Sequence, residues 1–136
     1  MKVVFDTNVL LSAFLTEGLC SKLLLRAKRG EFDLYLCPFI LHEFRDKLKN
    51  KIKATPIEIR EAISLVKEAA SMTAPEISDV RMYKASKDPD DDKVIACAVS
   101  VGADYIVTGD SDLRQIGSYG AVRIISPRSF EGLFEE

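Results

Sequence analysis

Short apolar runs alternate with segments of helical periodicity along almost the whole chain, and this alternation constrains the fold more than any other feature. The first run, Lys2–Phe5, is followed by a helical pattern, and the same order recurs towards the C-terminus. Strands that alternate with helices favour a parallel sheet with helices on both faces. For a chain of 136 residues we therefore predict one domain over residues 1–136, folded as a three-layer α/β/α sandwich with a mostly parallel central sheet.

Periodicity and capping signals set the bounds of the predicted elements. Thr55-Pro56-Ile57-Glu58 has the form of a capping box, which starts a helix. The predicted strands are Lys2–Phe5, Asp33–Cys37, a short strand near Ile77–Met82, Tyr105–Thr108 and Val122–Ile125. The predicted helices run from Asp6 to about Leu15, Leu19–Arg29, Phe39–Lys53, Thr55 to about Ser71, the Asp88–Asp92 run to Gly102, and Ser126 to about Phe134. The segment Gly109–Asp112 is predicted to be a polar turn.

Composition excludes several classes of protein. Apolar residues make up 47% and charged residues 29% of the chain, as in globular domains rather than disordered ones. No apolar run approaches the ~18 residues of a membrane-spanning helix, and Asp6 interrupts the stretch where a secretion signal would need its apolar core. The cysteines Cys20, Cys37 and Cys97 are isolated and odd in number, which argues against a disulfide or zinc framework. We therefore expect a cytoplasmic protein with buried thiols and no membrane partner.

Carboxylates concentrate where a parallel sheet places its ligands. Seven of the eleven aspartates lie between Asp88 and Asp112, although the net charge of the chain is only −2. Asp6 follows the first predicted strand, and Asp110 follows the strand that ends at Thr108. Ligands of open parallel sheets bind beyond the carboxyl ends of the strands. Because clustered carboxylates repel one another unless a cation shares them, the pattern points to a divalent cation such as Mg²⁺ or Mn²⁺.

Simpler interpretations exist for each acid taken singly, and other chemistries leave no signature. Asp6 could cap a helix, and Glu43 could pair with Lys47 one turn along a surface helix. The Asp88–Asp92 run lacks the glycine and glutamate that an EF-hand loop needs at later positions. The chain has no phosphate-binding glycine motif and no GxSxG motif, and we interpret its one histidine, His42, as a bystander.

Four segments, in the same order along the chain, resemble the PIN-domain family. They are Phe5–Leu10, Leu41–Phe44, Asp88–Ala96 and Ala103–Leu113, and the closing Ile125–Phe130 extends the likeness over the chain. The likeness is greatest to the prokaryotic branch that contains the VapC-like toxin components of toxin–antitoxin systems. It implies a metal-dependent ribonuclease that cuts RNA endonucleolytically. It also implies a small antitoxin protein as partner and a homodimer or higher homo-oligomer as the assembly.

The resemblance further implies which residues form the site around one or two Mg²⁺ or Mn²⁺ ions. The catalytic and metal-binding residues would be Asp6, Glu43, Asp92 and Asp110, with Asp112 as a further ligand and Asn8, Thr108 and Asp91 in support. Within the crowded aspartate run, Asp91 or Asp88 could replace Asp92 as the ligand. Helix geometry leaves the position of Glu43 open, because it lies about 100° from Phe44, at the edge of the apolar stripe. There it can reach a cleft or face water.

Positive surface should flank such a site if RNA is to approach it. The candidate phosphate-binding residues are Arg45, Lys47, Lys49, Lys22 and Arg26. Residues two apart on a helix point in different directions, so the basic stretch Arg45–Lys53 does not form one face. Two other functions stay open at this point. The chain could be a PIN-like binding or assembly module with weak or no activity, or a metal-dependent phosphatase of small phosphate esters that uses the same acids.

Overall fold

The computed structural model describes residues 1–73 and 89–135, and its elements alternate as the sequence predicts. The strands are β1 (Lys2–Phe5), β2 (Asp33–Leu36), β3 (Met72–Thr73), β4 (Tyr105–Val107), β5 (Ser118–Tyr119) and β6 (Val122–Ile125). The helices are α1 (Thr7–Leu15), α2 (Leu19–Lys28), α3 (Pro38–Asn50), α4 (Pro56–Ala69), α5 (Pro89–Ser100), α6 (Ser111–Ile116) and α7 (Pro127–Gly132).

All six of these strands belong to one sheet, in the order β3-β2-β1-β4-β6-β5. The first five strands in that order are mutually parallel, and only the edge strand β5 pairs antiparallel, with β6. Helices flank this sheet. The predicted α/β/α architecture with a mostly parallel central sheet is therefore confirmed.

The register of the central strands brings their carboxyl ends level. Phe5 of β1 lies opposite Val107 of β4, and Val107 lies opposite Ile125 of β6. The residues that follow β1 and β4 are Asp6 and Thr108, so parallel register alone places these two polar residues side by side. The predicted site residues Asp6 and Thr108 therefore meet at this edge of the sheet.

The core lies between the sheet and its helices. Val3, Val4 and Ile106 on the two central strands are fully buried. On the C-terminal side, Phe130 of α7 packs edge-on against the rings of Phe5 and Phe32. Edge-to-face aromatic pairs stabilise a core beyond the area that they bury. The closing helix is therefore part of the folded unit.

Short elements account for most differences between predicted and observed structure. The strands β3 and β5 are only two residues long, too short to produce a periodic pattern in the sequence. The segment 109–112 is not only a turn, because α6 begins at Ser111 and Asp110 caps it by accepting a hydrogen bond from the Asp112 backbone. The capping box at Thr55 is confirmed. The strand predicted near residues 77–82 lies outside the described residues.

The expectation of three unpaired thiols is wrong for two of the cysteines. Cys37, just before α3, and Cys97 of α5 form a disulfide, with their Cα atoms 6.1 Å apart. They are 60 residues apart in the chain, so only the fold brings them together. Cys20 is free and half-buried. The odd cysteine count is thus one bridge plus one thiol, and it no longer supports the expected cytoplasmic location.

None of the described helices is, by itself, long and apolar enough to cross a membrane. The bent pair α1–α2, whose axes meet at 102°, satisfies length and composition only when its two helices are taken together. Both helices contribute residues to the hydrophobic core, among them Leu10 and Leu23.

Candidate active site

Asp6 is held firmly at the carboxyl end of the sheet. Its backbone N–H donates to the carbonyl of Val107 at 3.0 Å, which extends the pairing of β1 with β4 by one residue. Its carboxylate caps α1 by accepting from the Thr7 N–H at 2.8 Å, and its second oxygen accepts from the Thr108 hydroxyl at 2.8 Å. The capping role that the sequence allowed is therefore real. It leaves lone pairs on both carboxylate oxygens for other partners.

Thr108 connects Asp6 to the next acid along the sheet edge. Its hydroxyl is fully buried, donates to Asp6, and accepts a hydrogen bond from the Asp110 N–H at 3.0 Å. Asp110 in turn accepts from the Asp112 N–H at 2.9 Å through one carboxylate oxygen. One buried hydroxyl thus links the first and the last of the predicted catalytic acids.

A polar cleft of about 300 Å³ opens beside these residues. The junction of β1 with α1, the helices α3 and α5, and the segment after β4 all contribute to it. Its lining residues are Asp6, Asn8, Phe39, Glu43, Lys47, Asp90, Asp91, Val94 and Asp110. The structure therefore brings three of the four predicted catalytic acids, Asp6, Glu43 and Asp110, into one cavity.

The acids that α5 contributes to the cleft are Asp90 and Asp91 rather than Asp92. Asp91 and Asp92 are both buried, with 6% of each residue exposed, but of these two only Asp91 lines the cleft. Asp90 and Val94 also line the cleft, so on a helix with about 100° per residue the arc of α5 that faces the cleft carries positions 90, 91 and 94, and Asp92 lies outside that arc. Val94, one turn after Asp91, lines the same wall. Of the two alternatives to Asp92 that the sequence left open, Asp91 lines the cleft and Asp88 lies outside the described residues.

Glu43 and Lys47 lie one turn apart on α3 and both face the cleft. Glu43 and Lys47 do not form the ion pair with each other that the sequence allowed. Instead, the Lys47 ammonium donates to the amide oxygen of Asn8 at 3.3 Å. Of the two positions open to Glu43, the structure therefore selects the cleft, and Lys47 adds one cation to a cavity that otherwise collects acids.

Burial dominates the electrostatics of Asp6. Only 8% of this residue is exposed, and desolvation raises the pKa of its carboxyl above the ordinary value of 3.8. The Thr108 hydroxyl and the Thr7 N–H lower the same pKa, the charge of Asp110 raises it, and the charge of Lys47 lowers it. Ionised Asp6 therefore costs folding free energy unless a cation offsets the burial of its charge.

The donor set of the cleft suits a hard divalent cation. Carboxylates from four parts of the chain and one amide oxygen line it, and oxygen donors are what Mg²⁺ and Mn²⁺ prefer. Among the residues that the structure describes, no three His, Cys, Asp or Glu side chains are gathered into a ready-made metal cage. The oxygen donors that line the cleft fit Mg²⁺, which usually keeps several waters and takes only one or two carboxylates directly, better than they fit zinc, which favours thiolate and imidazole ligands.

Two other residues considered from the sequence do not line the cleft. Asp112 is exposed at the start of α6, where its backbone N–H supports Asp110, and its own carboxylate is not among the lining groups. His42 is exposed on α3 and also does not line the cleft.

Most of the predicted phosphate-binding residues lie elsewhere. Arg26 forms a two-pronged pair with Glu131 of α7, Nε to Oε2 at 3.0 Å, and Lys22 approaches the same carboxylate at 3.1 Å. These two cations therefore fasten α7 to α2. Arg45 and Lys49 line a separate groove between α3 and α4. Only Lys47 of the predicted set reaches the cleft.

The cleft also contains residues that sequence reasoning passed over. Phe39 and Val94 form apolar walls, and Asp90 adds a further acid at the rim. The Lys93 ammonium lies over the Phe39 ring at 4.7 Å and 3.8 Å from the Asp90 carboxylate, which holds the start of α5 against α3. Position 39 opens an amphipathic helix, and such a pattern indicates core packing, so no local signal marked it as a cavity wall.

The architecture defines a class: an α/β/α sandwich with a carboxylate-lined cleft at the carboxyl edge of its parallel sheet. A family model described as the PIN domain matches residues 2–112, which include all the acids of the cleft, and the chain belongs to that family. PIN domains are generally nucleases, so a hydrolase of the nuclease type is supported at this coarse level. No curated protein matches the chain at a significant level.

Proposed function

We propose that this PIN-domain protein is a Mg²⁺- or Mn²⁺-dependent ribonuclease that cuts RNA endonucleolytically. The observation that carries the proposal is the convergence of four acids from separate parts of the chain, Asp6, Glu43, Asp91 and Asp110, on one polar cleft. Acids so distant in sequence gain nothing from meeting in a fold that only needs helix caps. A phosphodiester hydrolase needs them together, because it must concentrate cations against a phosphate.

Asp6 and Asp110 are the best-placed residues to hold the first ion, with Asp91 and Glu43 lining the same cleft. When bound, the cation supplies a Lewis acid that neutralises phosphate charge and makes a water more acidic. The chain's own contribution is preorganisation: Thr108 fixes the Asp6 carboxylate and the Asp110 backbone before any substrate arrives. Preorganised groups lower a barrier because they need no rearrangement during the reaction.

Lys47 is the group in the cleft that suits the substrate rather than the ion. Its ammonium lies beside Asn8 and within electrostatic range of Asp6. A lysine there can hold a phosphate oxygen of the scissile group, since lysine binds phosphate as a compact point charge. A cleft of about 300 Å³ between helices suits one unpaired strand better than a rigid A-form duplex. We therefore propose single-stranded or loop RNA as the substrate.

The biological role that we propose is that of a toxin in a toxin–antitoxin system. Its support is the likeness of the four motif segments to the prokaryotic branch of the family. The role carries three further proposals: inhibition by a small antitoxin protein, a homodimer or higher homo-oligomer, and a cytoplasmic location. A gene for a small basic DNA-binding protein next to the gene for this chain would support the role.

A paired-substrate assay separates the nuclease from the two alternatives. Purified protein with Mn²⁺ is given a fluorescent single-stranded RNA in one reaction and p-nitrophenyl phosphate in the other, over a series of monovalent salt concentrations. The nuclease should cut RNA, and the rate should fall steeply with salt because phosphate contacts release counterions. A phosphatase holds only one or two phosphates and should show a shallow dependence.

Two variants control the assay. Asp6→Asn keeps the shape of the side chain and removes the charge that the ion needs, whereas Asp46→Asn makes the same change on α3 outside the cleft. RNA cleavage should be lost in the first variant and kept in the second. Turnover of the small ester with intact RNA would replace the nuclease by the phosphatase, and no turnover of either substrate would favour the binding module.

A further inference from the structure

A second and larger cavity lies away from the acids, between α3 and α4. It has a volume of about 760 Å³ and is lined by Arg45, Lys49, Ala54, Pro56, Ile59, Arg60, Ile63, Ser64 and Lys67. The residues from α4 recur at intervals of three and four, which places them along one face of that helix. The floor is apolar, formed by Ile59 and Ile63 with Ala54 and Pro56 at one end. We call this cavity the α3–α4 groove.

Four cationic side chains lie on the two sides of the α3–α4 groove. Arg45 and Lys49 are one turn apart on α3, and Arg60 and Lys67 are two turns apart on α4. Among the residues that the structure describes, no Asp or Glu lines the groove. Within residues 1–73 and 89–135, none of the four forms an ion pair or a side-chain hydrogen bond. In a chain of net charge −2, this is a local concentration of unneutralised positive charge.

The groove is not an extension of the cleft. On α3, Glu43 and Lys47 face the cleft, whereas Arg45 and Lys49 face the groove. Helix geometry separates the two pairs by roughly 160–200° around the axis. An RNA strand seated in the cleft would have to cross over α3 to reach the groove. No aromatic side chain lines the groove within the described part of the chain, and unpaired bases are usually held by stacking on aromatic rings.

We propose that the α3–α4 groove is a docking site for an acidic amphipathic helical segment of a partner protein. An apolar stripe on that segment would cover Ile59 and Ile63, and carboxylates on both sides of the stripe would pair with the cations of α3 and α4. Docking of an amphipathic helix into an apolar groove is a recurrent mode of peptide recognition. The proposal concerns a surface outside the cleft, so its test is independent of the nuclease activity.

The spacing of the cations fits the spacing of carboxylates on a helix. Arg45 and Lys49 are separated by about 6 Å along α3, the rise between residues i and i+4 of a docked helix. Arg60 and Lys67 are separated by about 10 Å along α4, the rise between residues i and i+7. Glutamates at these intervals can face the cations of both helices, while leucines at intermediate positions face the apolar floor.

Fluorescence anisotropy with a designed peptide tests the proposal on the full chain. The probe is a fluorescein-labelled peptide of about 18 residues, roughly five turns, with leucines on one helical face and glutamates on the other. One control peptide replaces each glutamate by lysine, and a second has the same composition in an order that destroys the leucine face. The charge reversal Arg45→Glu/Arg60→Glu is compared with Arg29→Glu/Arg128→Glu, an equal change at positions outside the groove.

The acidic amphipathic peptide should bind saturably, and both control peptides should bind far more weakly. Reversal of the groove charges should weaken binding by roughly tenfold, because two attractive pairs become repulsive, and the matched control should change it little. Circular dichroism spectra of both double variants should match that of the wild type. Three results would overturn the proposal: no saturable binding, equal weakening by both double variants, or displacement of the peptide by a single-stranded RNA in the presence of EDTA.

Discussion

Replacement of Thr108 by valine removes the hydroxyl that joins Asp6 to Asp110. The hydroxyl makes two hydrogen bonds, of 2.8 Å to the Asp6 carboxylate and 3.0 Å from the Asp110 N–H, at a site with no solvent exposure. Valine has nearly the same shape, so the loss is of hydrogen bonding rather than of packing. Each buried bond is worth about 0.5–1.5 kcal/mol, and more where a charged partner is left unsatisfied, so we expect a loss of roughly 2–3 kcal/mol in the free energy of unfolding.

Urea denaturation followed by circular dichroism, with EDTA present, measures this loss. In a thermal scan of a chain of this size, the melting temperature should fall by roughly 6–15 °C. Thr108→Ser is the matched control, because it keeps the hydroxyl and removes one methyl group, at a cost of about 1 kcal/mol. A valine variant as stable as the wild type, or a serine variant as damaged as the valine one, would refute the role that we assign to the hydroxyl.

The same pair of variants gives a pH dependence of known sign. Burial already raises the pKa of Asp6, and the Thr108 hydroxyl lowers it, so removal of the hydroxyl raises it further. Because folding raises the pKa of this carboxyl, the free energy of unfolding decreases as pH rises from 3.8 through the raised pKa. The difference between valine variant and wild type should therefore be larger at neutral pH than at a pH low enough to protonate Asp6 in both proteins. A difference that grows on acidification would show that the hydroxyl does not stabilise the ionised carboxylate.

Three further predictions concern the cleft and the closing helix. Asp91→Asn should remove most RNA cleavage while Asp92→Asn keeps it, and single-turnover rates that show the reverse would place the ligand one residue later. Mn²⁺ should raise the melting temperature of the wild type. At an ion concentration ten times Kd, the free energy of unfolding should increase by about 1.4 kcal/mol, and the Asp6→Asn variant should gain less. Glu131→Gln should lower stability at neutral pH by about 1–3 kcal/mol, because it breaks the charged pair with Arg26. Arg26 lowers the pKa of Glu131 below its ordinary value of 4.5. The stability that the ion pair supplies is therefore present above pH 4.5 and disappears as pH falls through the lowered pKa. A deficit of the Glu131→Gln variant that persists in acid would argue against this role of the ion pair.

The fold and part of the site follow from the sequence because their causes are local or topological. Asp6 and Asp110 could be placed at one edge because each follows a parallel strand, and the register of β1 with β4 then decides that they meet through Thr108. No distant contact is needed for that conclusion. The apolar runs and the Thr55 capping box carry their own signals, and the structure confirms both.

The remaining features depend on helix rotation and on contacts between distant segments. Whether Asp91 or Asp92 faces the cleft depends on the phase of α5, which a run of adjacent aspartates cannot encode. The pairing of Cys37 with Cys97 spans 60 residues and exists only because α5 packs against the start of α3. Arg26 is equally suited by composition to phosphate or to a carboxylate, and only the fold supplies Glu131 as its partner.

The proposed function depends most on cleavage of RNA by the acids of the cleft with the help of a divalent cation. Single-turnover cleavage of a labelled single-stranded RNA should be measured with and without Mn²⁺ for the wild type, Asp6→Asn and Asp46→Asn. We predict cleavage that requires Mn²⁺, falls by about 100-fold or more in Asp6→Asn, and is unchanged in Asp46→Asn. Cleavage that persists in EDTA, or that is equal in Asp6→Asn and the wild type, would contradict the proposed mechanism.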